Sequence, residues 1–107
     1  MLGVGRTAYV GRACVARDPE EALARLQHGD VLVTPMTTPA YNAVLPLAGA
    51  VVVEEGGPLC HAAVIARELG IPALIGVSEA LARINDGDVV EVDPAAGVVR
   101  LRSTVAA

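Results

Sequence analysis

Short runs of Val, Leu, Ile and Ala recur along the chain, each broken by a cluster of Gly, Pro, Asp or Thr. Apolar, β-branched-rich runs bounded in this way predict strands. On this pattern residues 7–16 (TAYVGRACVA) are a strand with a glycine bulge at Gly11, and 30–35 (DVLVTP) and 50–55 (AVVVEE) are short buried strands. Residues 72–77 (PALIGV) are another. The stretch 88–101 (DVVEVDPAAGVVRL) sets two β-branched runs around Asp93-Pro94-Ala95-Ala96-Gly97 and predicts a hairpin. The tail, 102–107, is expected to fray.

Between the strands the apolar spacing changes to that of helices. In RDPEEALARLQHGD, Asp18 is the N-cap, Pro19 takes the first helical position and Glu21 completes a capping box. Leu23 and Leu26 are predicted to face inward and Gly29 to end the helix. MTTPAYNAVLPLAGA is a loop plus a short helix, with Thr38 capping and Pro39 in the first turn. A longer helix is predicted from Pro58 to Leu69, stopped by Gly70. The all-round apolar character of Ala62, Ala63, Val64, Ile65, Ala66 and Leu69 predicts that it is buried. Ser78 caps a last short helix, EALARIND, ended by Gly87. The alternation in the middle implies parallel pairing, and the two ends add antiparallel strands. The fold class is therefore α/β, a mixed sheet with flanking helices, in one domain over 1–107 with an ordered core from about residue 5 to 102.

Composition narrows the chemistry. Aromatic residues make up 2% of the chain, so there is almost nothing on which bases could stack. All eight basic residues are Arg, set against 12 acids for a net charge of −4, which argues against nucleic acid as a partner. Cys14 and Cys60 form neither a metal-type spacing nor a disulfide scaffold, so no metal is expected and the setting read is reducing and cytoplasmic. The N-terminal MLGVGRTAYVGRA lacks the apolar segment of a signal peptide, and no stretch approaches a membrane span, so no membrane is expected as a partner.

One stretch carries chemistry: residues 54–77, EEGGPLCHAAVIARELGIPALIGV. Gly56 and Gly57 allow a sharp turn, Gly57 can serve as N-cap and Pro58 suits the first helical position. The amides of Leu59, Cys60 and His61 then lack partners within the helix and form an anion site at its positive end. His61 stands in that first turn. The local field suits a neutral ring with a lone pair free to attack, and the same dipole would stabilise a phosphoryl group once accepted. Thr34, Thr37 and Thr38 lie in the loop facing the helix mouth, where any one of them could bond the imidazole. A Cys60–His61 catalytic pair is disfavoured because helix neighbours point ~100° apart; the Cys60 thiol is a candidate donor to the phosphoryl group instead. Arg67 lies about 240° around the helix from His61, so its reading is surface pairing or docking. His28, at the end of the first helix, reads as structural.

GGPLCHAAVIARELGIPALIGV closely resembles the phosphohistidine signature of the swivelling domain of the phosphoenolpyruvate-utilising enzymes, which include phosphoenolpyruvate synthase, pyruvate phosphate dikinase, enzyme I of the sugar phosphotransferase system and rifampicin phosphotransferase. GDVLVTPMTTPAY resembles a loop of that family, and GDVVEVDPAAGVVRL its closing hairpin, so the likeness spans about residues 5–102. The resemblance implies a swivelling β/β/α domain whose histidine relays phosphate between two sites. Carried over, His61 accepts the phosphoryl group and Gly56, Gly57, Leu59, Cys60 and Thr38 shape or hold it. Glu54 matches a position that is often acidic in the family. The implied partners are an ATP-grasp nucleotide-binding domain or protein and a phosphoenolpyruvate/pyruvate-site domain or another phosphoryl acceptor. ATP and Mg2+ would be bound on the partner, and no cofactor on this domain. Two departures stand out: Leu59 occupies the usual Thr position and Pro58 one where Arg or Met is frequent.

Nothing in these residues resembles a Walker loop, an ATP-grasp fold or a carboxylate cluster for phosphoenolpyruvate, so the chain is read as a phosphotransferase component that cannot complete a reaction cycle alone. Its ends suit either a free-standing small protein or a piece of a longer one. Three rivals remain at this point. One is a regulatory or structural relic of the swivelling domain, favoured by Leu59; a second is an intact subunit of a split dikinase, which an adjacent reading frame for an ATP-grasp protein would distinguish; the third is a plain structural swivel domain of the aconitase type, which the histidine signature argues against.

Overall fold

The computed structural model describes residues 1–103. Seven strands, β1 (Leu2–Val4), β2 (Tyr9–Val15), β3 (Val31–Thr34), β4 (Ala50–Val53), β5 (Ala73–Ile75), β6 (Val89–Asp93) and β7 (Val98–Ser103), form one sheet in the order β1-β5-β4-β3-β2-β6-β7. The inner four, β2 to β5, run parallel. β1 pairs antiparallel with β5, β6 with β2, and β7 with β6. The expected mixed α/β architecture is thus present, with parallel pairing in the middle and antiparallel strands outside.

Helices cover both faces, and that explains why β3 and β4 are buried at every position rather than alternately. One face carries Leu32, Val51 and Val53 against Ala22 of α1 (Pro19–Arg25) and Ala62, Ala63 and Ala66 of α2 (His61–Leu69). The other carries Val31, Val33, Val52 and Leu74 against Ala80 of α3 (Ala80–Arg83), with Ile84 just beyond it. Alanines on the inner side of α2 let it lie close on the strands. Val64 and Leu69 point outward, 38% and 39% exposed, so α2 is amphipathic rather than apolar all round.

Several predicted boundaries shift. Asp18 caps α1 as expected, accepting from the Glu21 amide at 2.9 Å, while the Glu21 carboxylate accepts from the Arg17 amide at 2.7 Å. The helix ends at Arg25, ahead of Gly29, with Leu26 already extended. Ala22 and Leu26, four apart, take the inward face; Leu23, one position round from Ala22, is left 64% exposed instead of packing inward. Gly11 forms no bulge, because the β2–β6 register runs unbroken from Tyr9 to Arg12. The irregularity in this part of the sheet lies at Val89/Val90 of the β6–β7 pair.

Ser78 does not cap α3. The N-cap is Glu79, in a left-handed conformation at φ 58°, and the Glu54 carboxylate reaches across to accept from the Leu81 amide at 3.0 Å. A long-range carboxylate therefore does the work expected of a local hydroxyl. β1 was not predicted: three residues with a central glycine carry no alternation. An ideal Cβ on Gly3 would stand 2.0 Å from the Pro94 carbonyl oxygen, so the turn of the β6–β7 hairpin lies directly against the first strand. β7 continues through Arg102 and Ser103, part of the tail expected to fray, and residues 104–107 lie outside the described ones. Among the described residues, no helix is long and apolar enough to cross a membrane.

Candidate functional site

The parallel strands β3 and β4 deliver two loops to the same end of the sheet, 35–38 and 54–60, and His61 stands between them. The second loop is the Gly-Gly-Pro-Leu turn. Gly56 has φ 132°, a region open essentially to glycine alone, and a Cβ there would meet Cys60 Sγ at 2.8 Å. At Gly57 φ is not positive and a Cβ would meet nothing within 4 Å. Gly56 is thus required by the turn and Gly57 is not. Gly56→Ala is expected to destabilise the fold by about 1–3 kcal/mol, whereas Gly57→Ala should change stability by no more than ~0.5 kcal/mol; urea unfolding of the two variants checks the contrast.

The turn delays the helix. Pro58 and Leu59 lie in a hydrogen-bonded turn in which the Cys60 amide donates to the Gly57 carbonyl at 3.1 Å. α2 begins at His61, with Cys60, not Gly57, at the N-cap position. The unpartnered first-turn amides therefore start at His61 and run into Ala62 and Ala63, rather than at Leu59. Leu59 is 87% exposed at the tip of the turn. Arg67 Nη1 donates to the Pro58 carbonyl at 3.0 Å, an exposed bond that ties the turn to the outer side of the helix, so its surface pairing is with this chain's own backbone. Gly70, at φ 70°, closes α2 in the left-handed conformation, as predicted.

The imidazole is held at both nitrogens. Thr37 Oγ1 lies 2.8 Å from Nδ1 on the part-buried side, and Asn42 Oδ1 lies 2.9 Å from Nε2 on the exposed side. Thr34 is buried and engaged elsewhere, 2.8 Å from the Tyr41 hydroxyl. Burial raises the Tyr41 pKa, so the phenol stays protonated, and its bond fixes the 3-10 turn, Pro39–Tyr41, that is followed by Asn42. Thr38 makes no hydrogen bond to the ring; it is extended ahead of Pro39 and exposed, where Thr37 is buried. It makes no side-chain capping bond either, although it does line the cavity.

That cavity, of about 260 Å³, opens between the Met36–Pro39 loop and the Glu55, Gly56 and Cys60 turn, with His61 in its wall. Its volume is several times the ~30 Å³ share of one water. The ring is neither sealed in the core nor turned from the helix mouth. The structure thus brings His61, Thr38, Gly56 and Cys60 to one cavity and leaves Gly57 and Leu59 outside it, Leu59 as an exposed tip. No arginine lines it, and its one charged wall residue is Glu55. Cys14 and Cys60 are both free. Among the described residues, no group of three or more His, Cys, Asp or Glu is placed to hold a metal ion. Asn42 escaped the sequence reading because nothing in its spacing links it to residue 61; only the path of the 3-10 turn does.

Residues 26–97 match the family described as PEP-utilising enzyme, mobile domain. The chain belongs to that family. The match takes in β3, β4, α2 and both loops around His61. The mobile domain is 48% identical over 89 residues to a phosphoenolpyruvate synthase of Aeropyrum pernix, an alignment covering 83% of this chain and 11% of that protein. To the phosphoenolpyruvate synthase of Escherichia coli K12 it is 45% identical over 94 residues, covering 88% and 12%. The chain thus spans about one-ninth of the length of these relatives. Among solved structures, an Enzyme I solution structure superposes with a TM-score of 0.65 at 29% identity, covering 75% of this chain and 33% of that one. An aconitase X from Thermococcus kodakaraensis matches at a TM-score of 0.65 and 24% identity, covering 92% and 96%, a likeness of fold alone.

Proposed function

We propose that the chain is a single swivelling domain that carries a phosphoryl group on His61 between a donor site and an acceptor site on other domains. The observation that carries this reading is the imidazole, hydrogen-bonded at both nitrogens, at the leading end of α2 and in the wall of an open cavity. Nε2 faces the exposed side and is the proposed nucleophile. Its lone pair forms the N–P bond while the donor's P–O bond breaks, the electron pair leaving on the oxygen of the nucleotide or of the enolate. The ring's remaining proton stays on Nδ1, which donates it to Thr37 Oγ1. A fixed ring orientation of this kind removes rotational freedom that transfer would otherwise have to overcome.

The site's charge suits a carrier better than a store. First-turn amides favour a phosphoryl group, but Glu55 and the lack of any lining arginine keep it from being held tightly. The cations that stabilise the transferring group would come from the partners: an ATP-grasp domain with ATP and Mg2+ on one side, a phosphoenolpyruvate/pyruvate-site domain or another acceptor on the other. In this reading the domain is a phosphotransferase component, incomplete alone, that works in the cytoplasm. The relic reading has one feature in its favour, Leu59 in place of the family's usual threonine, which leaves Thr37 as the hydroxyl on the ring.

The test is direct. Incubated with a charging phosphotransferase of this family and labelled ATP or phosphoenolpyruvate, the chain should acquire close to one phosphate, labile in acid and stable in base. Absence of label with a donor proven on its own cognate domain would favour the relic.

A further inference from the structure

We propose that Asn42 is a latch on the His61 tautomer, holding the ring in the form that cannot attack from Nε2. The consequence for transfer rests on the carrier reading; the contact itself does not. A neutral imidazole has one N–H and one lone pair. Asn42 presents Oδ1, an atom that only accepts, to Nε2 at 2.9 Å. The ring proton is therefore on Nε2, and the lone pair is on Nδ1, where the Thr37 hydroxyl donates to it at 2.8 Å. In that state Nε2 has no lone pair, and the one on Nδ1 is capped from the part-buried side.

Thr37 and Asn42 differ in what they permit. A hydroxyl donates or accepts with equal ease, so Thr37 serves either tautomer without moving. Asn42 serves the reactive tautomer only if its amide turns over to offer Nδ2–H, or swings off the ring. The setting permits this: the Asn42 side chain is exposed and, among the described residues, hydrogen-bonds only His61, while its backbone is fixed by the bond from its own amide to the Pro39 carbonyl at 3.0 Å. Tyr41, buried beside it, keeps the turn in place while the amide moves. Contact between a donor domain and this exposed amide would release the latch at the moment of transfer, so that the uncharged ring is protected from adventitious chemistry until then.

The experiment uses the full chain, labelled with ¹⁵N, and long-range ¹H–¹⁵N correlation at about pH 8.5, some two units above the ordinary imidazole value of ~6.5. His28 provides an internal reference ring. In the unmodified chain His61 should show the Nε2–H pattern. Asn42→Ala should move its tautomer ratio toward Nδ1–H by roughly two- to tenfold, the bias an ordinary hydrogen bond imposes. Asn42→Asp, whose carboxylate accepts but cannot turn over into a donor, should retain Nε2–H.

Phosphoryl uptake is then measured with phosphoramidate, a small donor whose P–N bond breaks as the Nε2–P bond forms and ammonia leaves. Uptake should rise with Asn42→Ala by a factor similar to the tautomer change and fall with Asn42→Asp. An Nδ1–H pattern in the unmodified chain, or a ratio that Asn42→Ala leaves unmoved, overturns the latch even if label is taken up normally. The predicted tautomer pattern with no label from any donor would sustain the latch and overturn the carrier.

Discussion

Replacing His61 by alanine is expected to abolish phosphate incorporation while leaving the fold nearly unchanged. The two effects separate because of where the ring sits. It packs at the mouth of α2, half-buried; of its two side-chain partners Asn42 is exposed, and Thr37 is buried but lines the open cavity. Thr37 and Asn42 would be rehydrated on its loss, so the cost is that of ordinary hydrogen bonds, about 0.5–1.5 kcal/mol each at most. Alanine's higher helix propensity returns a few tenths of a kcal/mol at the first helical position. No other imidazole lines the cavity, whose remaining nucleophilic side chains are the Cys60 thiol, the Thr37 and Thr38 hydroxyls and the Glu55 carboxylate. The acid-labile label should therefore drop to background, with a far-UV circular dichroism spectrum and melting profile close to the parent's. His28→Ala, made alongside, should retain full incorporation. Label persisting in His61→Ala would move the acceptor to another residue and end the assignment.

The largest loss of stability is expected from Leu32→Ala. Leu32 is fully buried at the middle of β3, between parallel partners on both sides and beneath the helices of one face. Its neighbours there, Cys14 and Val51 on the flanking strands, belong to the rigid part of the sheet and cannot collapse into the space left. Truncations of this kind cost roughly 2–5 kcal/mol, transfer and cavity together. In a chain of this size that corresponds to a melting point lower by about 10 °C or more. Leu59→Ala supplies the contrast. The same chemical change at an 87% exposed position should alter stability by no more than ~0.5 kcal/mol. A Leu32→Ala chain as stable as the parent would show that the core between β3 and the helices is not packed as described.

Strands were the legible part of the fold. β2, β3, β4, β5 and β6 all fall inside the predicted runs, and β7 overruns its own by two residues, because continuous Val/Leu/Ile segments between breakers have few other solutions. Helix ends were less legible. The Gly-Gly-Pro-Leu segment matches a helix start at Pro58, but the Gly57–Cys60 turn bond takes up the amide that such a start would leave free. At Ser78 a long-range carboxylate, Glu54, displaced the local rule.

For the site, the position of His61 beside a helix mouth could be read from spacing, and so could the presence of a threonine hydroxyl in the loop facing it, though Thr34 belongs to the core instead. Choosing Thr37 over Thr38 could not: in an extended segment adjacent side chains oppose each other, and a one-residue error in phase reverses the answer. The contact from Asn42 depends on how a 3-10 turn is anchored by Tyr41 to Thr34, which no local pattern encodes.

The pairing of β1 with β5 sets an order on how the chain can assemble. Leu2 meets Ile75, and Gly3 lies against Pro94, so the first strand of the domain is among the last to find its place. The parallel block must form first from segments well separated along the chain, a slow kind of search. Until β5 is in place Leu2–Val4 has no strand partner among the described residues, which marks this edge as the stretch left open longest while the domain assembles.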